Sequence, residues 1–173
     1  MKILVVGNGG REHALVWKIR QSPLVREVYC APGNAGIAEQ ADCVPIDTTN
    51  IVEVADFAQT IKADLTVVGP ELPMVLGVGD EFRRRGLSIF CPSRAAAEIE
   101  GSKAFAREFM QRHRIPSPRY EICHSHDEAL AFVKRAPLGW PVVVKVDGLA
   151  SGKGAFVCKD AAETYIVREI DPD

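Results

Sequence analysis

The sequence predicts an α/β chain in two parts, a doubly wound parallel-sheet domain followed by a smaller second unit. Three observations carry that expectation. Five short apolar runs fall between Ile3 and Phe90, most of them separated by segments of helical period. Two glycine-rich loops each follow an apolar run directly, at Gly7–Gly10 and Gly148–Gly154. The strand-and-helix alternation then breaks near residue 100, ahead of the stiff stretch Ile115-Pro116-Ser117-Pro118.

Taken in order, Ile3 to Val6 reads as a buried first strand, and a helix through Ala14, Leu15, Trp17 and Ile19 ends before Ser22-Pro23. Glu27 to Ala31 is the second strand and Cys43 to Ile46 the third. Asp47-Thr48-Thr49-Asn50 then offers N-caps to a helix with Ile51, Val54, Ala55, Ala58 and Ile61 on one face. Asp64 to Val68 is the fourth strand, Leu76 to Arg85 a helix, and Leu87 to Phe90 the fifth strand. Strands in that alternation need a parallel sheet covered on both faces. Ala95 to Glu100 and Ser102 to Arg112 read as consecutive helices broken at Gly101. A strand follows near Arg119 to Cys123, then a helix near Asp127 to Arg135 and a strand Pro141 to Val146. Beyond the glycine loop come a strand Ala155 to Cys158 and a helix near Ala161 to Ile170. These elements divide the 173 residues into a domain at 1–100, a helical linker at 101–118 and a partial second unit at 119–173.

Composition narrows the function classes. The chain is 47% hydrophobic and 25% charged, which excludes a disordered or fibrous protein. Its 21 Lys and Arg against 23 Asp and Glu leave a net charge of −2, with no broad pull toward nucleic acid or anionic membrane. No apolar run approaches the roughly 20 residues of a membrane span. Five cysteines without a C-x-x-C pair read as free thiols of a reducing, cytoplasmic compartment, and four of them (Cys30, Cys91, Cys123, Cys158) sit in or beside strand-like runs, as buried thiols do.

The first loop, Gly7-Asn8-Gly9-Gly10-Arg11-Glu12-His13, joins a strand to a helix start, where backbone N–H groups favour an anion and Arg11 could pair with phosphate. The alternative is a tight turn with Arg11 and His13 solvated. The dinucleotide fingerprint fails, because its third glycine would fall at Glu12 and the second strand ends in Tyr29-Cys30-Ala31-Pro32 without an acidic residue. Pro32-Gly33-Asn34-Ala35-Gly36 and Gly69-Pro70-Glu71 follow the second and fourth strands. Loops at the carboxyl ends of strands converge, so Asn8, Gly9, Gly10, Arg11, Gly33, Asn34, Gly69, Pro70 and Glu71 are the candidate lining of one small-ligand pocket. The second loop, Gly148 to Gly154, is not a Walker motif: the spacing is short by one residue, and it leads into a strand. A glycine turn between two antiparallel strands would instead fold over phosphates as a flap. Lys145 inside the preceding strand needs an anion there, faces water on an edge strand, or pairs with Asp147.

Six segments taken together resemble the phosphoribosylamine–glycine ligase family, also called glycinamide ribonucleotide synthetase. They are Gly7 to Leu15, Ala31 to Gly36, Val67 to Glu71, Glu100 to Phe105, Arg114-Ile115-Pro116 and Lys145 to Gly154, in order and in register over nearly the whole chain. The resemblance implies a Rossmann-like, pre-ATP-grasp domain followed by an incomplete ATP-grasp domain. It implies an ATP-dependent ligase of de novo purine biosynthesis that joins 5-phosphoribosylamine to glycine through a glycyl phosphate. ATP phosphates would be held by Lys103, Lys145, Gly148, Ser151, Gly152, Lys153 and Gly154, and the three loops of the first domain would form the substrate side. Mg²⁺ or Mn²⁺ would be needed, with its ligands beyond Asp173 and none in this chain, so the isolated chain is expected not to turn over. Cys91 stands where the family usually has glycine, and Ser151 where alanine is common. A non-catalytic binding fragment, a nucleotide-dependent oxidoreductase domain and another ATP-grasp ligase are the competing readings.

Overall fold

The computed structural model describes residues 1–135, 138–150, 153–160 and 162–163. The chain divides into two compact units, Met1–Gly101 and Ser102–Asp173. In the first unit, β1 (Lys2–Gly7), β2 (Glu27–Pro32), β3 (Asp42–Cys43), β4 (Leu65–Val68) and β5 (Ile89–Phe90) form one sheet in the order β3-β2-β1-β4-β5, all parallel. Five α-helices belong to this unit: α1 (Gly10–Arg20), α2 (Ile51–Thr60), α3 (Glu71–Leu76), α4 (Val78–Arg84) and α5 (Arg94–Gly101). This is the doubly wound architecture that the alternation predicts.

The alternation of side chains along β1 explains why both faces must be covered. Ile3 and Val5 point to one face, where they pack with Val16 of α1, Val28, Cys30 and Ile37. Leu4 and Val6 point to the other and join Ala31, Ile46, Val54, Ala55 and Ala58 of α2, Val68, and Val78 and Phe82 of α4. A central parallel strand buried on both sides therefore reads as an unbroken apolar run. Thr66 of β4 is also fully buried, and its hydroxyl has no hydrogen-bond partner among the described residues.

Several elements differ from the sequence expectation. The helix expected over Leu76 to Arg85 is α4, Val78–Arg84, and α3 precedes it unexpectedly, because Gly77 adopts φ 98°, ends α3 and starts α4. The third and fifth strands shrink to two residues each, since each lies at a sheet edge and pairs on one side only. Ile37–Glu39 forms a single 3-10 turn that periodicity did not indicate.

The second unit holds α6 (Lys103–Arg112), α7 (His126–Arg135), β6 (Val142–Lys145) and β7 (Ala155–Cys158). Ser102 caps α6, its hydroxyl accepting from the Phe105 N–H at 3.0 Å. β6 and β7 pair antiparallel, Val142 opposite Cys158 and Lys145 opposite Ala155, as the glycine turn between them requires. Arg119 to Cys123 forms no strand: among the described residues β6 and β7 pair only with each other, which leaves that segment without a ladder to join. The helix expected at Ala161 to Ile170 lies outside the described residues except for Ala162 and Glu163, which are helical. All five cysteines are free. Cys30 and Cys158 are buried, whereas Cys91 and Cys123 are only half-buried and Cys43 is exposed, so two of the four thiols expected inside a core lie at its margin. Among the described residues no helix is long and apolar enough to cross a membrane.

Candidate functional site

In the first unit the strand order reverses between β1 and β4, the switch point at whose carboxyl end a doubly wound sheet holds its crevice. Of the nine pocket candidates of this unit, Asn8, Gly9, Gly33, Asn34, Gly69 and Pro70 lie in the loops at that end of the sheet, while Gly10 and Arg11 open α1 and Glu71 opens α3. Asn34 ties the second loop to the first, its Nδ2 donating to the Asn8 carbonyl at 2.8 Å while its Oδ1 accepts from the Ile37 N–H at 2.9 Å. The Gly33 N–H donates to the Gly7 carbonyl at 3.1 Å. Arg11 ties the first loop to the third: its Nη1 donates to the Gly69 carbonyl at 2.6 Å and to Glu71 Oε1 at 2.9 Å. Gly9 caps α1, and Pro70 occupies the same position before α3.

The electrostatics qualify the role of Arg11. The hydrogen bond to Glu71 raises its pKa most, and the charges of Glu71, Glu12 and Glu100 add to the shift. Glu71 is held below the ordinary carboxylate range by its own backbone N–H and then by Arg11. One guanidinium among three carboxylates is a poor attractor of phosphate, so an anion entering here would rely on the free N–H groups of the first turn of α1. Beside this corner, a cavity of about 250 Å³ is lined by Met74, Pro92, Ala96, Ala97 and Ile99, with Glu71 and Glu100 among its walls.

Two residues of the corner escaped the sequence reading. Glu12 is only 4% exposed, and its Oε2 accepts from the Gly9 N–H at 2.6 Å. Its spacing from Gly9 is that of a capping box, but glycine at the cap hides the pattern. His13 is half-buried rather than solvated, lying against Gly36 and 3.5 Å from Gln40 Nε2.

In the second unit two of the nucleotide candidates, Lys103 and Gly148, meet at the start of the glycine loop. Lys103 Nζ donates to the Gly148 carbonyl at 2.6 Å. Asp147 Oδ1 accepts from the backbone N–H groups of Lys103 at 2.6 Å and Ala104 at 3.2 Å, and the Ser102 hydroxyl donates to Oδ2 at 3.0 Å. Burial pushes the Asp147 carboxyl up, but these donors, with the Gly148 N–H, outweigh it and leave the pKa below its ordinary value of 3.8. Asp147 is thus committed to α6 and makes no ion pair with Lys145, which is exposed on β6. Nothing in local spacing marks this clamp, because 44 residues separate Asp147 from Lys103. Lys153 is exposed, and its N–H donates to Ala150 at 2.8 Å. Gly154 is buried, with the Val146 N–H donating to its carbonyl at 2.9 Å to close the loop. Ser151 and Gly152 lie outside the described residues.

Comparison with known proteins follows the same division. Residues 1–100 match the family model for the phosphoribosylglycinamide synthetase N domain, and residues 101–170 that for its ATP-grasp (A) domain. A phosphoribosylamine–glycine ligase of Caldanaerobacter subterraneus subsp. tengcongensis is 51% identical over 170 residues, covering 98% of this chain and 40% of the relative. The crystal structure of phosphoribosylamine–glycine ligase from Thermotoga maritima superposes with a TM-score of 0.71 at 29% identity, covering 98% of this chain and 38% of that one. The biotin carboxylase domain of the Hydrogenobacter thermophilus 2-oxoglutarate carboxylase, solved with MgADP, ADP and bicarbonate, shares the fold at a TM-score of 0.75 and 20% identity, over 98% of this chain and 40% of its own. The chain spans about 40% of the length of the curated relatives it matches.

Proposed function

Because the chain belongs to the phosphoribosylglycinamide synthetase family, we propose that it supplies the substrate side and the first part of the nucleotide side of an ATP-dependent carbon–nitrogen ligase. The substrates are 5-phosphoribosylamine, glycine and ATP, and the setting is cytoplasmic purine biosynthesis, with neither nucleic acid nor membrane as a partner. One observation supports the reading: hydrogen bonds tie the three loops of the first unit to one another through Asn34 and Arg11, and Lys103 reaches the foot of the glycine loop at Gly148. Residues 1–100 are the substrate-side domain, 101–118 the connector and 119–173 the opening of the nucleotide-binding domain.

The chemistry fits residues that position and neutralise rather than attack. A glycine carboxylate oxygen attacks the γ-phosphorus and ADP leaves. The amine nitrogen then attacks the resulting acyl carbon, loses a proton, and phosphate departs. No protein nucleophile is required, so the demands on this chain are alignment and charge. Lys103 and Lys145 would meet ATP phosphates, Lys103 exchanging the Gly148 carbonyl for phosphate oxygen. Gly148, Ser151, Gly152, Lys153 and Gly154 would close over them. Asn8 to Arg11, Gly33-Asn34 and Gly69 to Glu71 would face the ribosylamine and glycine. Among the described residues no His, Cys, Asp or Glu side chains gather as a metal site. Mg²⁺ or Mn²⁺ would neutralise charge on the ATP phosphates, and no step is routed through it here.

The test has two arms. Calorimetry of this chain with ribose 5-phosphate should give a saturable heat that NADH does not, and the absence of that heat overturns the substrate-side assignment. In a full-length relative, ADP release should require both glycine and phosphoribosylamine, and Lys145→Ala should impair ATP use more than stability. A collapse of stability with ATP use intact would make Lys145 structural. A second reading is a ligand-binding unit without turnover. ADP release by the 173-residue chain itself would remove it.

A further inference from the structure

The first turn of α1 reaches two strand ends at once, and Glu12 is the residue through which it does so. Its side chain is wedged between the last residue of β1 and the first residue after β4. A Cβ at Gly7 would lie 2.6 Å from Glu12 Cγ, and a Cβ at Gly69 would lie 2.7 Å from the same atom and collide with Oε1. At Gly9 the nearest atom to a Cβ is Oε2, at 3.0 Å. Three glycines of the crevice thus face one carboxylate. Gly69 has no need of positive φ; it is glycine because Glu12 occupies the space a side chain would take.

The carboxylate itself needs an account. It is 4% exposed, its hydrogen bond among the described residues is the one from Gly9, and the nearby Arg11 charge acts on it without a hydrogen-bonded ion pair. Burying a carboxylate on so little compensation is unfavourable, and an apolar side chain would pack there at lower cost. Arg11, the neighbouring residue, holds the Gly69 carbonyl from the other side. The two residues grip the β4 loop at its Cα and its C=O. We propose that Glu12 is a positioning residue: it sets the separation of the β1 and β4 loops and aims the Gly9–Gly10 backbone at the ligand. The substrate-binding part of this proposal rests on the reading given above, and its packing part does not.

The packing part is tested by a double-mutant cycle on this chain, read as melting temperature. Gly69→Ala should lower it clearly in the presence of Glu12 and little in a Glu12→Ala background, where the space is free. Additive effects would overturn the proposal. The positioning part is tested with Glu12→Gln, which keeps the volume and one acceptor but places an amide N–H₂ against the glycine it should only touch. Its melting temperature should stay within a few degrees of the parent chain's, while ribose 5-phosphate affinity falls about tenfold or more, the scale of loss that small displacements of contacting groups produce. Glu12→Asp, too short to reach Gly69, should not restore the affinity. Unchanged affinity in Glu12→Gln would reduce Glu12 to a packing residue and overturn the proposal. If the parent chain takes up no ribose 5-phosphate, the substrate-side reading fails, and the cycle alone decides what Glu12 does.

Discussion

The two units of this chain are held together by different means. In the first, Leu4, Val5, Val6, Val16, Val54, Val78 and Phe82 are wholly withdrawn from water, and the two faces of one sheet each have a core. In the second, α6 and α7 bury no residue and Cys158 is the one buried apolar side chain among the described residues. The cross-strand pair Val143 and Val157 is 51% and 66% exposed. What stands in for a core at the start of α6 is a polar clamp, Asp147 on the N–H groups of Lys103 and Ala104. The first unit should therefore respond mainly to lost volume, and the second to lost hydrogen bonds.

That contrast can be broken most forcefully at Phe82. Phe82→Ala should cost about 3–5 kcal/mol, the range for emptying a buried aromatic site, and denaturant unfolding would read it. A cost under about 1 kcal/mol would mean that the core of the first unit relaxes as freely as a surface. Next in size is Asp147→Ala, expected to cost about 0.5–2 kcal/mol, as removal of a helix cap does. Amide exchange should report it locally, with the Lys103 and Ala104 N–H groups losing protection first. The pH dependence has a definite sign. Asp147 has a lowered pKa in the folded chain, so its contribution is present above the ordinary value of 3.8 and is lost as pH falls through the lowered folded value. The parent chain and Asp147→Ala should thus converge in stability under acid, and a gap that persists there would refute the clamp.

Thr66→Val sharpens the comparison from the opposite direction. Removing a buried hydroxyl without a partner should raise stability by about 1 kcal/mol in the first unit. The smallest effect is expected from Val157→Thr, within about 0.5 kcal/mol, because that side chain is already mostly in water. A larger loss would show that the exposed face of β6 and β7 is covered in solution.

The same contrast explains what could be read in advance. β1 is legible because burial on both faces leaves no room for polar residues in Ile3 to Val6, and β2 and β4 because their short apolar-rich runs alternate with segments of helical period. The break at Gly77 is not, since apolar residues continue across it and one glycine is compatible with a helix interior. Arg119 to Cys123 has the composition of a strand, but a strand also needs a neighbour, which composition cannot supply. At the switch point the glycines suggest a site, while the side chain that crowds Gly7 and Gly69, Glu12, is hidden by the missing hydroxyl at its cap. Asp147 is the extreme case: its partners are tertiary, and only folding brings them within reach.

The central place of β1 also has a consequence during synthesis. It leaves the ribosome ahead of the other strands of its sheet, yet β4 ends only at Val68 and the covering helix α4 at Arg84. At translation rates of about 5–20 residues per second, its apolar run waits roughly 4–15 s for its last neighbours. A nascent chain stalled in that interval would present a bare hydrophobic ribbon, a natural substrate for a chaperone.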